Sequence, residues 1–214
     1  SGQLVRAIAK IENVPEDHIM SWPGSNEALA RSVVAFCSPT KSLVQADPTY
    51  ETSGRAAKFL NVPIKSVPLK ADYSHDIRAM STTDANAGVI YVCNPNNPTG
   101  TMTANSEIEW LVDNKPSGSI VVIDEAYIHW TKDYPNNTTS HLVAAGKDVL
   151  MVSVDYVPAM AKELAASEAN ASVELRSAIG KYIYPVVLDY LKGKHDWPKW
   201  VKIPSDLHTQ ADAK

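Results

Sequence analysis

Polar residues that could bind a charged ligand gather at three places in this sequence. The first place is residues 23–27, Pro-Gly-Ser-Asn-Glu, where a glycine turn opens a helical pattern. The first backbone N–H groups of a helix lie at the positive end of its dipole, so they suit an anion such as phosphate. Because many helices begin in this way, the same residues also fit an ordinary helix start.

The second place is the turn at residues 94–100, Asn-Pro-Asn-Asn-Pro-Thr-Gly, which ends the apolar run at residues 89–93. An ordinary turn needs one proline or one asparagine, whereas this turn contains two prolines, three asparagines and a glycine. This excess indicates that the turn does more than redirect the chain.

The third place is residues 121–127, where an apolar run ends in Asp124 and Tyr127 follows three residues later. A carboxylate at the end of a buried strand is costly unless it meets a positive partner. A protonated pyridine nitrogen would be such a partner. The alternative is that Asp124 simply caps a helix.

A mostly parallel sheet covered by helices is the framework that the hydrophobic pattern predicts for residues 1–153. Predicted strands cover residues 42–45, 63–69, 88–93, 119–124 and 149–152, and predicted helices cover residues 4–11, 26–36, 50–60, 76–80 and 105–113. Ser25 is the candidate cap of the second helix. This alternation indicates an α/β domain, whose ligands bind at the carboxyl ends of the strands, where the three clusters fall.

Residues 154–214 follow a different pattern, because the alternation of strands and helices stops after residue 153. Residues 159–183 are rich in alanine and glutamate with helical spacing, and Pro185 can begin a further helix over residues 186–191. The pattern therefore predicts a helical C-terminal segment.

Charge and hydropathy exclude several classes of partner. The 214 residues carry a net charge of −4 and contain no lysine and arginine cluster, which argues against nucleic-acid binding. No apolar stretch is long enough to span a bilayer, and the chain starts without a signal-peptide pattern. Cys37 and Cys93 lie far apart in apolar runs, which favours free thiols over a disulfide and a reducing, cytoplasmic location.

Taken together, the three clusters resemble the large domain of the fold-type I pyridoxal-phosphate (PLP) enzymes. The turn at residues 94–100 matches the signature of the class I/II aminotransferases, and the sequence looks most like their histidinol-phosphate aminotransferase branch. The motifs match in order over about residues 3–153. The resemblance implies a three-layer sheet with helices on both faces, PLP as the cofactor, no bound metal and a homodimer.

The resemblance also implies roles for individual residues. Ser25 and Asn26 would hold the phosphate of PLP, and Asn97 and Tyr127 would share its ring hydroxyl. Asp124 would pair with the pyridine nitrogen and keep it protonated, so that the ring can accept electrons.

Three aromatic residues have two interpretations each. Tyr50 matches the residue that stacks on the pyridine face, or it is a core aromatic at a helix start. His129 and Trp130 follow the third cluster and could line the substrate side, although loop packing explains them equally well.

The sequence departs from the family pattern after residue 153. The family's Schiff-base lysine lies in a Ser-x-Ser-Lys or Thr-x-Ser-Lys stretch before a glycine-rich loop, but residues 154–158 are Val-Asp-Tyr-Val-Pro. Lys162 is the first lysine beyond this point and is the candidate catalytic residue, unless it only solvates a helix. Lys147 precedes the last strand and is a weaker candidate. Residues 154–214 would then be a remnant or a replacement of the family's small domain, separate from a PLP-binding portion at residues 1–153.

Two functional hypotheses follow. The first is a PLP-dependent aminotransferase that moves an amino group between an amino acid, histidinol-phosphate-like, aromatic or other, and a 2-oxo acid. The second is a truncated or degenerate, non-catalytic family member or fragment that lacks the Schiff-base lysine and binds PLP non-covalently or acts as a scaffold. A hydrolase or nucleotide-binding enzyme is disfavoured, because the sequence has neither a Gly-x-Ser-x-Gly elbow nor a Gly-x-x-x-x-Gly-Lys loop.

Overall fold

Five short segments of the chain form the strands of one parallel sheet. The computed structural model describes residues 2–153, 171–173, 192 and 207–209, and this sheet lies in the first of these stretches. Its strands are β1 (Ser42–Asp47), β2 (Ile64–Pro68), β3 (Ala87–Cys93), β4 (Ile120–Asp124) and β5 (Val149–Val152), in the spatial order β2-β1-β3-β4-β5. All neighbouring strands are parallel, so their carboxyl ends share one edge of the sheet.

Helices make the connections between these strands. The described α-helices are α1 (Gly2–Glu12), α2 (Ser25–Phe36), α3 (Thr52–Phe59), α4 (Ile77–Thr82), α5 (Asn105–Asn114) and α6 (Ser140–Ala144), and short 3₁₀ helices lie at Glu16–His18 and Ile128–Trp130. Parallel neighbours need such crossovers, since a tight hairpin can join only antiparallel strands.

The central strands are buried because helices cover both faces of the sheet. All seven residues of β3 are buried. Side chains alternate between the two faces: Tyr91 and Val122 pack with α2 and α3, whereas Ile90 and Ile123 pack with α4 and α5. The architecture is therefore the three-layer α/β fold that the sequence predicts.

The start of α2 differs from the prediction. The helix begins at Ser25, its capping residue is Gly24, and no side chain caps it, so the prediction of Ser25 as the cap is wrong. Gly24 has a φ of 96°, a conformation that glycine adopts readily and other residues avoid. The first N–H groups of α2 are consequently left without a side-chain cap.

The predicted state of the cysteines is confirmed, since Cys37 and Cys93 are both free. None of the helices in the described ranges is long and apolar enough to cross a membrane.

Contacts within the chain define two compact units, Ser1–Asp155 and Tyr156–Lys214. In the second unit, β6 (Ala171–Val173) and β7 (Leu207–Thr209) form an antiparallel pair, with Ser172 opposite His208. Residues 171–173 lie inside the stretch predicted to be helical, so that prediction is wrong for these three residues. The serine and the β-branched valine are weak helix formers, and pairing with β7 decides their conformation. The remaining residues of the two predicted helices, 159–183 and 186–191, lie outside the described residues, and Lys162 is among them.

Candidate functional site

A pocket of about 300 Å³ opens where the carboxyl ends of β3 and β4 meet the start of α2. The lining residues are Pro23, Gly24, Ser25, Asn26, Tyr50, Cys93, Asn97, Asp124, Ala126 and Tyr127. The fold therefore brings together the six residues predicted to bind the cofactor, although they come from four separate parts of the sequence.

The first wall of the pocket is the start of α2. Gly24 turns the chain into the helix, and a side chain built on it would meet no atom within 4 Å, so the approach to the helix start is open. Because the first turn of a helix has N–H groups without intrahelical partners, this wall suits an anionic group.

A hydrogen-bond network joins this wall to Tyr50. The side-chain oxygen of Asn26 accepts a hydrogen bond from the Tyr50 hydroxyl at 2.8 Å and another from Thr52 Oγ1 at 3.0 Å. The Tyr50 ring also packs against the apolar cluster under α2 and α3. Two contacts thus hold the ring in place, and the Asn26 amide oxygen is already engaged, which leaves its N–H groups for an anion.

The asparagines of the turn at residues 94–100 divide into two kinds. The buried Asn94 side chain bonds the backbone of Thr103 through both of its polar atoms, at 3.1 and 2.8 Å. The buried Asn96 side chain bonds Thr49 at 2.9 Å and the Pro48 carbonyl at 3.2 Å. Both therefore fix the turn against neighbouring segments.

Asn97 is the third asparagine, and it is half-buried and lines the pocket. Its side chain makes no hydrogen bond with the part of the chain that the structure describes. The same is true of the Tyr127 hydroxyl, on a side chain that is 46% exposed. These two groups are therefore available to a ligand.

Asp124 lies at the base of the pocket and is almost fully buried, with 3% of its surface exposed. It pairs with Cys93 across β3 and β4. Its Oδ2 accepts a hydrogen bond from the Tyr91 hydroxyl at 2.8 Å, and its Oδ1 accepts one from the Ala126 N–H at 3.2 Å. Asp124 is therefore no helix cap.

Burial raises the pKa of Asp124 above its usual value, while the bonds from Tyr91 and Ala126 lower it in part. None of the lysine, arginine or histidine residues that the structure describes forms an ion pair with this carboxylate. A buried carboxylate without a cationic partner is unfavourable, so the site favours a ligand that brings a positive charge.

Tyr91 is a site residue that the sequence interpretation missed. Its hydroxyl contacts Asp124, but it lies in the middle of an apolar strand and resembles a core residue. The signal that could have identified it is chemical, since a buried phenol needs a hydrogen-bond partner. Tyr91 is also two residues before Cys93, on the face of the sheet where Asp124 lies.

The loop after Asp124 is anchored by a second buried carboxylate, Glu125. It accepts hydrogen bonds from Thr138 Oγ1 at 2.6 Å and from the N–H and Oγ1 of Thr139 at 2.8 and 2.6 Å. Burial raises the pKa of Glu125, and these donors lower it in part. They attach the loop to the segment that leads into α6.

His129 packs inside this loop and does not line the pocket. Its Nε2 lies 3.6 Å from Glu12 Oε1, and its ring centroid lies 4.4 Å from that of Tyr134. Tyr134 donates a hydrogen bond to the same Glu12 oxygen at 3.1 Å. Trp130 is 75% exposed and is absent from the pocket lining.

Lys147 is remote from the pocket. It precedes β5 and lies at the amino edge of the sheet, where its ammonium group pairs with Asp113 at 2.9 Å. Within the described ranges, no lysine lines the pocket.

Comparison with known proteins gives a consistent result. The family model for aminotransferase class I and II matches residues 2–165. The histidinol-phosphate aminotransferase of Aliivibrio fischeri is 34% identical over 127 residues, covering 59% of this chain and 37% of the relative. That of Shewanella oneidensis is 36% identical over 132 residues, covering 61% of this chain and 33% of the relative.

A solved structure shares the fold. The histidinol-phosphate aminotransferase of Sinorhizobium meliloti, in complex with pyridoxal-5'-phosphate, superposes with a TM-score of 0.65 at 19% identity, covering 72% of this chain and 43% of that chain. The present chain spans little more than a third of the length of the curated relatives that it matches. The fold, the ordered motifs and the family match over most of the chain establish that it belongs to the class I and II aminotransferases, the PLP-dependent fold-type I family, in which it resembles the histidinol-phosphate branch.

Proposed function

We propose that this chain is the PLP-holding part of an aminotransferase that transfers an amino group between an amino acid and a 2-oxo acid. One observation carries the proposal: a buried carboxylate, Asp124, lies at the base of the pocket without a cationic partner among the described residues. A protonated pyridine nitrogen supplies the positive charge that this carboxylate needs.

The other groups of the pocket fit the remaining parts of PLP. The open start of α2 at Gly24 and Ser25 suits the phosphate. Asn97 and Tyr127 offer polar atoms without partners in the described ranges and suit the ring hydroxyl. Tyr50, fixed by its bond to Asn26, offers a flat apolar surface for the ring.

The residues of this chain then have distinct tasks. When bound, PLP withdraws electrons from the α-carbon of an amino acid substrate through its protonated ring. Asp124 holds the proton on the pyridine nitrogen, and Asn97 and Tyr127 orient the ring through its hydroxyl. The N–H groups at the start of α2 bind the phosphate, and Tyr50 excludes water from one face of the ring.

We further propose that Lys162, which lies outside the described residues, carries the proton in the reaction. The names of the relatives support a histidinol-phosphate-like amino donor, with an aromatic amino acid as the alternative. The proposal includes a cytoplasmic homodimer with residues 1–153 as its PLP-binding portion. The competing proposal is a non-catalytic member that binds PLP without a covalent bond.

Borohydride reduction tests the two proposals directly. The full chain is incubated with PLP, reduced and examined by intact-mass spectrometry, with the adduct located by digestion. We expect one pyridoxyl group on Lys162, lost in Lys162→Ala and retained in the control Lys147→Ala. PLP binding by dialysis without an adduct would support the non-catalytic alternative, and no PLP binding at all would overturn both.

A further inference from the structure

We propose that Tyr91 is a positioning residue for Asp124. The Tyr91 hydroxyl group keeps the Asp124 carboxylate ionised and oriented toward the cofactor. The inference rests on the proposed function, because it gives Asp124 the pyridine nitrogen as its ligand. It assigns a task to a residue in the interior of β3 rather than in the pocket lining.

The register of the sheet explains how Tyr91 reaches Asp124. Tyr91 lies opposite Val122, and Cys93 lies opposite Asp124. The Tyr91 and Asp124 side chains therefore lie on the same face of the sheet, two residues apart along the strand direction. The long phenol bridges this gap along the face and places its hydroxyl 2.8 Å from Asp124 Oδ2. A shorter side chain at position 91 could not make this contact.

The ring of Tyr91 is held rigidly, so its hydroxyl has a defined direction. The side chain is fully buried in the apolar cluster beneath α2, which includes Leu29 and Val33. Side chains in such close-packed interiors sit in rotamer minima and interdigitate with their neighbours. The hydroxyl donor is therefore preorganised, and it needs no rearrangement when a ligand enters.

The carboxylate is held from two directions. Tyr91 donates to Oδ2 and the Ala126 N–H donates to Oδ1. Since a carboxylate offers about four acceptor positions, both oxygens keep capacity for a further donor such as a pyridinium N–H. The two internal donors thus fix the plane of the carboxylate without saturating it.

The bond also acts on the charge of Asp124. Burial raises the pKa of Asp124, and the bond from Tyr91 opposes this rise. The phenol itself remains a donor, because burial and the nearby carboxylate raise the pKa of Tyr91. Without this bond, a larger fraction of Asp124 would be the neutral carboxylic acid. A neutral acid cannot hold the proton on a pyridine nitrogen.

The Ala126 N–H is the other donor to Asp124, and among the side chains that the structure describes, only that of Tyr91 donates a hydrogen bond to this carboxylate. Cys93, Tyr50 and Tyr127 line the same pocket, and none of these side chains is a cation. The two charged residues of α2, Glu27 and Arg31, are absent from the pocket lining and pair with each other at 2.7 Å.

The test compares Tyr91→Phe with the unmodified full chain in two measurements. The variant keeps the ring and removes only the hydroxyl. First, in protein without PLP, the ¹³C signal of the Asp124 carboxyl, assigned with Asp124→Asn, should titrate at higher pH in the variant. Second, PLP with a ¹⁵N-labelled ring should bind about tenfold more weakly, as expected for losing a hydrogen bond to a charged group, and its ¹⁵N shift should move toward the unprotonated value.

Tyr134→Phe is the matched control, because Tyr134 also donates to a carboxylate, that of Glu12, but is absent from the pocket lining. It should leave both measurements unchanged. An unchanged Asp124 titration in Tyr91→Phe, with only the melting temperature altered, would overturn the inference and leave Tyr91 a core residue. If the unmodified chain failed to bind PLP while the titration shifted as expected, the proposed function would fail and the link between Tyr91 and Asp124 would stand.

Discussion

At the scale of single residues, His75 and Thr103 hold in place the turn at residues 94–100, which contributes Asn97 to the pocket. His75 is buried, and its Nδ1 lies 2.9 Å from Thr103 Oγ1. The backbone of Thr103 in turn bonds both polar atoms of the Asn94 side chain. His75 therefore supports the asparagine–proline turn through Thr103.

The ionisation of His75 should limit stability in acid. Burial, with a smaller effect of Lys70, lowers the pKa of His75 from 6.5 to about 4. Because the folded protein prefers the neutral ring, the stability that neutral His75 contributes is fully present above about pH 6.5. This stability is lost as the pH falls through about 4. We expect the free energy of unfolding to fall by about 3 kcal/mol over this interval from this group.

Urea unfolding of the full chain between pH 7 and 4 measures this loss. His75→Asn is the informative variant, since its amide can occupy the place of Nδ1 beside Thr103 and does not titrate. The variant should show a shallower loss of stability toward acid. An equally steep loss in both proteins would assign the acid sensitivity to other groups.

At the scale of secondary structure elements, the contact between α2 and β3 positions the helix whose start lines the pocket. Gly88 in β3 lies under the end of α2, and a Cβ atom on it would lie 2.2 Å from the Phe36 carbonyl oxygen. The absence of a side chain at this position lets the helix pack directly on the strand. The other end of the same helix forms the proposed phosphate site, so this contact sets the height of that site above the sheet.

Gly88→Ala should therefore destabilise the fold and displace α2. The clash is with backbone, which no rotamer change can relieve, so we expect a loss of about 2–3 kcal/mol and weaker binding of PLP. Gly54→Ala in α3 is the control, because the three atoms nearest to its Cβ would all belong to the Gln45 side chain, the closest at 3.1 Å. Chemical denaturation and equilibrium dialysis would check both effects, and equal stability of the two variants would contradict the close-packing argument.

The whole molecule consists of two units, and the pocket residues all belong to Ser1–Asp155. The proposed proton carrier, Lys162, belongs to Tyr156–Lys214. With this assignment, cofactor binding and covalent attachment depend on different parts of the chain.

A chain ending at residue 155 separates these two properties. We expect this shortened chain to give the circular dichroism spectrum of a folded α/β protein and to bind PLP reversibly, because the sheet, α2 and Asp124 are all present. It should form no adduct on borohydride reduction, whereas the full chain should form one. An adduct of equal yield in the shortened chain would place the reactive lysine within residues 1–155.

Most of the sheet could be predicted because local patterns specify it. Residues 88–93 and 149–152 read as buried strands, and β3 and β5 lie there, but β5 is an edge strand and its Leu150 is exposed. The hydrophobic pattern does not predict the short helix α6 or the 3₁₀ helix at Ile128–Trp130, because such brief elements are stabilised by distant contacts, such as those of Glu125, rather than by local periodicity. The cap of α2 was misassigned because either Gly24 or Ser25 could begin the helix, and only the backbone conformation distinguishes them.

The sequence determined which types of residue lie at the ends of the strands, and with them the family and its cofactor. The tertiary structure decided how these residues divide their tasks. It assigned Asn94 and Asn96 to the support of the turn and left Asn97 facing the pocket. It also placed the Tyr91 hydroxyl on Asp124, 33 positions further along the chain. The reason is physical: residue types follow from local sequence, whereas hydrogen-bond partners depend on strand register and helix packing, which form only when the chain folds.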